Sequence, residues 1–565
     1  MPLKWVLADT PDKDKLDLLS EALSVPKMIS SVLIHRGIET YDDARRFFRP
    51  EWQDLHDPFL MKDMKAAVDR IILAIEKKER ILIYGDYDVD GITAVSVLVL
   101  FLRERGNDVF YYIPNRLKEG YGLSESGIAQ AANLNISLVI SVDCGITGIA
   151  EVAYARERGI DCIISDHHEP GVELPRAIAI LDPKRGDCPY PFKDLAGVGV
   201  AFKLIQAIAR KLNLEEETYQ KYIDLVAIGS TADIVPLVDE NRVLVKKGME
   251  RINRLENLGL KALAESAGIA GKPIGTGQVV FVLAPRINAV GRLGNAERAV
   301  HLFITDSESQ AGEIAKVLEA ENQHRKDIDE ETFQEAIALI NETYDVESER
   351  GVVLAKTGWH TGVVGIVASR IVERVYRPTV MIAIENGIGK GSARSIPDFD
   401  IYSALKQCEE YLIAFGGHRY AAGLTILPEK ISDFRAAFNE IAKASIPEEL
   451  LIQKIIMDSE ITLPEISDKV VRILNQFAPF GPQNMRPVFV SRNLDVVGSP
   501  TVVGRNHLKF KVRQQGVVFD VIGFDLGDLL YRLSPGESNL DMVYVIEENH
   551  WNGQSKIQLR VKDLR

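Results

Sequence analysis

Cysteine is scarce in this chain. Four occur in 565 residues, at Cys144, Cys162, Cys188 and Cys408, and no two stand in Cys-x-x-Cys spacing. Its absence argues against a zinc site and fits a reducing compartment, where free thiols mostly pack as small buried groups. Long apolar runs are missing too, since no stretch approaches the ~20 residues of a membrane-spanning helix. Met1-Pro2-Leu3-Lys4-Trp5 lacks the basic start and apolar core of a secretory signal. From these absences we expect a cytoplasmic protein without membrane contact. Positive charge is the third shortage: 67 Lys and Arg face 81 Asp and Glu, a net charge of -14. So acidic a chain does not coat nucleic acid indiscriminately, because that affinity comes from neutralising phosphates. A local basic groove remains compatible with it.

The length provides for roughly three to five domains at about 100 to 200 residues each. An apolar content of 46% with 26% charged residues is ordinary for a soluble globular enzyme. The most informative stretch is Gly85-Asp86-Tyr87-Asp88-Val89-Asp90-Gly91, where three carboxylates lie between an apolar run at 81–84 and a helical pattern at 92–105. Carboxylates this close repel one another, and a cation between them relieves the repulsion. The alternative is a loop that caps the next helix and stays solvated. The pattern then recurs. Apolar strands at 137–142 and 162–165 end in Asp143 and in Asp166-His167-His168, and helical patterns at 124–133 and 147–158 supply parallel crossovers. Three βα units thus bring Asp88, Asp90, Asp143, His167 and His168 to one sheet edge, the edge at which open α/β sheets bind ligands. Asp233 lies inside the apolar Ala232-Asp233-Ile234-Val235-Pro236, where an unpaired charge is costly and a ligand role gives it a reason. Carboxylates with imidazole suit Mn²⁺, or Mg²⁺ held by carboxylates and waters. The donors suffice for two ions, the usual equipment for displacement at phosphorus. Phosphoester hydrolysis is the chemistry this predicts.

Asp88-Val89-Asp90-Gly91, Asp143 and Asp166-His167-His168, in this order, resemble the DHH phosphoesterase superfamily. The segments at 229–236 (GSTADIVP), 285–292 (PRINAVGR), 359–370 (WHTGVVGIVASR) and 416–423 (GGHRYAAG) extend the likeness over nearly the whole chain, most closely to the single-strand-specific exonucleases of that superfamily. The resemblance implies hydrolysis of single-stranded DNA in the 5′ to 3′ direction with two Mn²⁺ or Mg²⁺ ions, in repair and recombination. It implies a single-strand-binding protein and a helicase as partners, and we expect a monomer. Asp88, Asp90, Asp143, His167 and Asp233 would hold the ions, Asp143 between them, with His168 on the scissile phosphate or a metal and Asp166 orienting its neighbours. Pyrophosphatase relatives carry a histidine four residues before the first aspartate, where this chain has Tyr84, so one ion has fewer protein ligands. Asp86 is a substitute or, as we expect, a support behind the ligands. By the same resemblance Arg116, Arg292, Ser392 and Arg394 hold a 5′ phosphate. For Arg116 the plainer reading is an exposed loop arginine, and for the nearby Arg286 it is a structural ion pair. The segment 284–294 reads as an ordered loop. The segment 387–394 (GIGKGSAR) reads as a glycine-rich turn that wraps phosphate with backbone N–H groups. His418 follows two glycines that let backbone approach a ligand, its alternative being a hydrogen-bonded structural histidine.

The expected architecture is α/β. It comprises a helical cap on the nuclease domain at 1–60, a parallel-sheet DHH nuclease domain at 61–305, a long linker helix or helix pair at 306–345, a second α/β, DHH-associated domain at 346–448, and a C-terminal OB-fold β-barrel at 449–565. In the barrel, Arg505, His507, Lys509, Lys511 and Arg513 alternate with Leu508, Phe510 and Val512, the period of a strand with one cationic face. Such a face would track a single-stranded backbone, although outward lysines are usually just solvated. Two rival functions stay open. An oligonucleotide or cyclic-dinucleotide phosphodiesterase leaves the basic strand unexplained, and a non-catalytic single-strand-binding protein leaves the full ligand set unexplained.

Overall fold

The computed structural model describes residues 3–115, 119–293, 296–345, 348–534, 536, 538–551 and 554–565. A short strand, β1 (Lys4–Leu7), precedes the first lobe and belongs elsewhere. The apolar runs of that lobe are too continuous for one-sided burial, and they form a parallel sheet covered on both faces. It comprises β2 (Ile81–Gly85), β3 (Val109–Tyr112), β4 (Leu138–Val142), β5 (Asp161–Ser165) and β6 (Ala179–Leu181) in the order β3-β2-β4-β5-β6. Every residue of β2 and β4 is buried. The chain steps outward from β2 to β3 and returns to β4 on the other side. The carboxyl ends of β2 and β4 therefore flank a crevice at the topological switch point. The helix Val89–Arg103, buried almost throughout, packs there against the helices Gly197–Lys211 and Ile223–Ala232.

The segment read as an ordered loop is helical instead. Thr276–Gln278, the π turn Val279–Leu283 and Ala284–Leu293 run on as one rod. Its glycine serves close packing, not a turn: a Cβ on Gly291 would stand 2.6 Å from the carbonyl oxygen of Tyr87. The linker is a single helix, Glu308–Thr343, about 54 Å long at 1.5 Å per residue. Ala311, Ala315 and Leu318 near its start belong to the core of the first lobe, and Ala336 and Ile340 near its end to that of the second.

The second lobe has β7 (Val352–Thr357), β8 (Thr379–Glu385), β9 (Ile388–Arg394), β10 (Leu412–His418) and β11 (Ala421–Ile426) in the order β10-β11-β9-β8-β7, parallel only at β7–β8. The expected phosphate-wrapping turn at 387–394 is a correction, because apart from Gly387 those residues are β9. Its glycines make room for neighbours: a Cβ on Gly389 would lie 2.8 Å from Ile382 Cγ2, and one on Gly391 2.8 Å from Leu424 Cδ1.

In the last unit, β12 (Lys454–Met457) and β13 (Ser459–Glu460) lead into a closed barrel. Its strands are β14 (Phe489–Val503), β15 (His507–Gln514), β16 (Val517–Gly523), β17 (Ser538–Trp551) and β18 (Gln554–Leu564), joined β14-β15-β16-β18-β17 and back to β14. Most of the N-terminal segment covers this barrel, whereas its end, with Trp52 and Leu55, packs on the nuclease domain, where we expected the whole of it. β1 pairs in parallel with β12, and Leu19, Met28, Ile29, Val32, Leu33 and Phe47 share one core with Phe477 and Phe489. The sheet of the first lobe is already covered by its own helices, so the apolar faces of the N-terminal helices find their partner in the barrel. Contact with the first lobe is apolar at Trp52, stacked on Phe202, and at Leu55, and polar at Arg242. The buried Arg242 guanidinium donates to the carbonyl oxygens of Phe47 at 2.7 Å, Phe477 at 3.1 Å and Ala478 at 3.2 Å.

Candidate metal centre and phosphate pocket

The ligand-type side chains sit where strands or helices end. Asp88 is the N-cap of the helix Val89–Arg103, its Oδ1 accepting the Gly91 N–H at 3.1 Å. The capping role thus occupies one oxygen of a residue that also faces the crevice. Asp90 accepts the N–H groups of Gly197 at 2.6 Å and Val198 at 2.9 Å, in the first turn of the helix Gly197–Lys211. Asp143 follows β4 with φ 59°, and Asp233 ends the helix Ile223–Ala232 before Ile234 at φ 62°. A left-handed backbone is strained for such residues, most of all for a β-branched one, and this strain collects at functional sites.

Three groups of these side chains bring ligand atoms within 4.8 Å of one another: Asp86, Asp88 and Asp143; Asp90, His167 and Asp233; and Asp143, His167 and His168. His167 Nε2 lies 3.1 Å from Asp143 Oδ1, 3.7 Å from Asp233 Oδ2 and 3.8 Å from Asp90 Oδ2. Burial and the neighbouring His168 hold His167 down at about 3, so a neutral ring faces the carboxylates. Burial and the Asp88 charge push Asp90 up to about 7. Burial and the other acids raise Asp143 and Asp233 well above the usual carboxylate range. The buried Asp143 Oδ1 and His167 Nε2 make no hydrogen bond, a state that costs on the order of 1–3 kcal/mol per atom unless something else satisfies it. A divalent cation fits this donor set. Asp86, expected behind the ligands, is buried with its carboxylate in the first of the three groups. It stands two residues before Asp88 on the loop after β2, close enough to take the place left by Tyr84, whose ring is turned into the core.

His168 differs from its neighbour. Its Nδ1 is 2.7 Å from Asp166 Oδ1, and against the effect of burial that hydrogen bond and charge lift it to about 9. An imidazolium thus stands beside the acids. Tyr121, which our reading of the sequence missed, places its hydroxyl 3.0 Å from the His168 ring and donates to the Asp143 carbonyl oxygen at 3.1 Å. Lys184, also missed, lies three residues beyond β6, and its Nζ is 3.7 Å from Glu169. Only the folded sheet brings either residue to the centre.

A second cluster forms where the lobes meet. Arg292, at the end of the helix Ala284–Leu293, donates to the carbonyl oxygen of Gly362 at 3.0 Å. On β9, Arg394 donates to Ser392 Oγ at 2.9 Å. A Cβ on Gly365, in the first turn of the helix Val364–Val375, would meet Ser392 Oγ at 2.9 Å and Arg394 Nη2 at 3.0 Å. Ser392, Arg394 and Arg292 therefore converge on one helix N-terminus, a ready anion site. His418 ends β10 and pairs with Ala421, which pairs in turn with Arg394. Desolvation, and then the charges of Arg394, His168 and Lys184, push the exposed His418 down, so it lies within the field of both clusters. Arg286 is the ion-pair partner of Glu319. Arg116 lies outside the described residues.

On the barrel, β15 alternates as expected, with Leu508, Phe510 and Val512 inward and Lys509, Lys511 and Arg513 exposed, while Arg505 sits in the turn before it. The charge is less available than its spacing suggests. Acids on flanking segments approach His507 (Asp525, 3.6 Å), Lys511 (Asp520, 3.7 Å) and Arg513 (Asp495, 3.3 Å).

A switch-point crevice lined by these acids and imidazoles, facing a second α/β lobe, defines a DHH-type protein. The DHH family N-terminal domain model matches residues 80–230, the DHHA1 domain model 348–444 and the RecJ OB domain model 457–563. The single-stranded-DNA-specific exonuclease RecJ of Bacillus subtilis is 41% identical over 568 residues, covering 99% of this chain and 70% of the relative. That of Dickeya dadantii is 34% identical over 96% of both chains. The crystal structure of RecJ in complex with Mn²⁺ from Thermus thermophilus superposes with a TM-score of 0.86 at 30% identity, covering 100% of this chain and 79% of that one. The chain belongs to the RecJ family. No helix among the described residues is long and apolar enough to cross a membrane.

Proposed function

We propose that this chain is a metal-dependent exodeoxyribonuclease that hydrolyses single-stranded DNA from its 5′ end in repair and recombination. The observation that carries this reading is the pairing of two clusters, a buried carboxylate–imidazole centre and, across the crevice, an anion pocket supplied by both lobes. Asp88, Asp90, Asp143, His167 and Asp233 would hold two Mn²⁺ or Mg²⁺ ions, Asp143 between them, with Asp86 as an additional ligand on the side of Asp88. Bound there, the ions would activate water and neutralise charge on the phosphoryl oxygens. The chain's own groups do the rest. Arg292, Ser392 and Arg394 grip the terminal 5′ phosphate, with His418 between that pocket and the centre, and Arg116 joins them on the resemblance alone. This grip orients the first phosphodiester. His168, held as an imidazolium by Asp166 and positioned by the Tyr121 hydroxyl, donates to the scissile phosphate. Arg505, His507, Lys509, Lys511 and Arg513 guide the strand over the barrel.

An enzyme limited to unpaired strands needs a helicase to expose them and meets single-strand-binding protein on them. Both are the partners this reading expects, in the cytoplasm. The test is product analysis on a 3′-labelled strand with Mn²⁺, in 5′-phosphorylated, 5′-blocked and duplex forms, beside Asp143→Ala. The expected result is a stepwise ladder from the free 5′ end that the duplex and the variant do not give. An intact strand alongside cleaved dinucleotides would replace this reading with the small-substrate one.

A further inference from the structure

The helical rod Thr276–Leu293 touches all three units. At its start the Thr276 hydroxyl donates to the carbonyl oxygen of Phe480 below the barrel, at 2.8 Å. At its end Arg292 donates to Gly362 of the second lobe at 3.0 Å. Val279, Leu283, Ile287 and Val290 are buried in the first lobe, Arg286 faces Glu319 of the linker, and Gly291 lies against Tyr87 of the metal loop. One face remains. Pro285, Asn288 and Arg292 follow one another at i, i+3 and i+7 and so share the side on which Arg292 reaches the second lobe, and Phe281 precedes them by about one turn in the π segment. Phe281 is 79% exposed. It lies in a π turn, a feature frequent at functional sites, and the turn runs into Pro285, which has no N–H to donate.

Resting on the proposed function, we infer that Phe281 is a stacking platform for one unpaired base of the strand on its way from the barrel to the phosphate pocket. A lone exposed phenylalanine means little. This one lies between the two anchored ends of the path that a strand running from barrel to pocket must follow. Eleven residues separate it from Arg292, about 16 Å along the axis. That is about five nucleotides at a stacked rise of 3.4 Å, and fewer if the strand is drawn out. A base is the occupant because its flat apolar face matches the ring, while its backbone is already held at both ends by cations. A paired base offers no free face, so the platform adds to selection for single strands.

The test is binding of the full chain, without metal so that nothing is cut, to a 5′-phosphorylated single strand carrying one abasic site at positions two to six in turn. One position should weaken binding about 5-fold or more, the range of a base–aromatic stack. Phe281→Ala should weaken the intact strand by a similar factor and become indifferent to the abasic site at that position alone, whereas Phe281→Tyr should keep the sensitivity. With Mn²⁺, the ratio of kcat/KM on a long strand to that on a dinucleotide should fall by the same factor in Phe281→Ala. The inference is overturned if no position stands out, or if the abasic site and Phe281→Ala weaken binding independently. If the unmodified protein neither binds nor degrades single strands, the proposed function itself has failed, and that outcome is visible without any variant.

Discussion

Filling the metal centre should expel protons, and the number follows from the geometry. In the metal-free site, burial and the Asp88 charge push Asp90 up to about 7, and burial with the neighbouring acids raises Asp143 and Asp233 well above the carboxylate range. A raised pKa means that the site holds protons at neutral pH which a cation must displace, so affinity for metal rises with pH. His167, held down at about 3, is already neutral and releases nothing, while His168, lifted to about 9 by Asp166, keeps its proton unless it becomes a ligand. The three acids therefore account for roughly one to three protons at pH 7, and each contributes about 1.4 kcal/mol of Mn²⁺ affinity per pH unit, a factor of ten. Calorimetric titration with Mn²⁺ in two buffers of different ionisation enthalpy counts them directly. Asp143→Asn should lower the count by removing one of the three acids and relieving its neighbours. An observed heat that does not depend on the buffer, or an affinity that is flat between pH 6 and 8, would refute the electrostatic account of the centre.

Three further expectations are sharp. Gly197→Ala sets a Cβ 2.6 Å from Asp143 Cβ and Oδ1; by displacing a ligand through its neighbour it should weaken Mn²⁺ binding about tenfold or more with the fold retained, checked by calorimetry beside circular dichroism. Arg242→Ala leaves the carbonyls of Phe47 and Ala478 without the guanidinium and that of Phe477 with the Asn484 amide alone; a cost of about 2 to 4 kcal/mol should appear as a lower first unfolding transition and as proteolysis at the seat of the barrel. On β15, Lys509→Ala should lower the salt slope of single-strand binding by about 0.7. Lys511→Ala and Arg513→Ala should lower it less, because Asp520 and Asp495 already balance those charges; equal slopes would contradict the pairing.

The nuclease sheet was legible because strands buried on both faces leave uninterrupted apolar runs, and because Asp88, Asp143 and His167 each stand within four residues of the end of such a run. Position in sequence then translates into one edge of one sheet. Residues whose place is fixed by contacts distant in sequence left no such trace. Tyr121 reaches His168 only through folding, and Gly197 is a glycine because Asp143 occupies the space of its side chain. Glycine also misled. At Gly291, Gly389 and Gly391 it admits a neighbour at close range inside a helix and a strand, whereas composition alone suggested a loop and a turn. The N-terminal helices were legible as helices, but an apolar face does not say which apolar surface it will cover.

The way the three units are joined bears on which bond is cut. The linker helix carries apolar residues into the cores of both lobes, so the metal centre and the phosphate pocket are tied by packing that a local opening does not release. The barrel has its own core with the N-terminal helices and meets the first lobe through hydrogen bonds, those of Arg242 and of the Leu237 N–H to the Pro482 carbonyl oxygen at 2.9 Å, and through the close approach of Gly481 to Leu237. Registry between the gripped 5′ phosphate and the first phosphodiester depends on the rigid pair. Retention of the strand depends on the barrel. Loosening the barrel with Arg242→Ala should therefore shorten the run of cuts made per binding event while leaving the size of each step in the ladder unchanged. A change in step size would mean instead that the barrel helps to set the register.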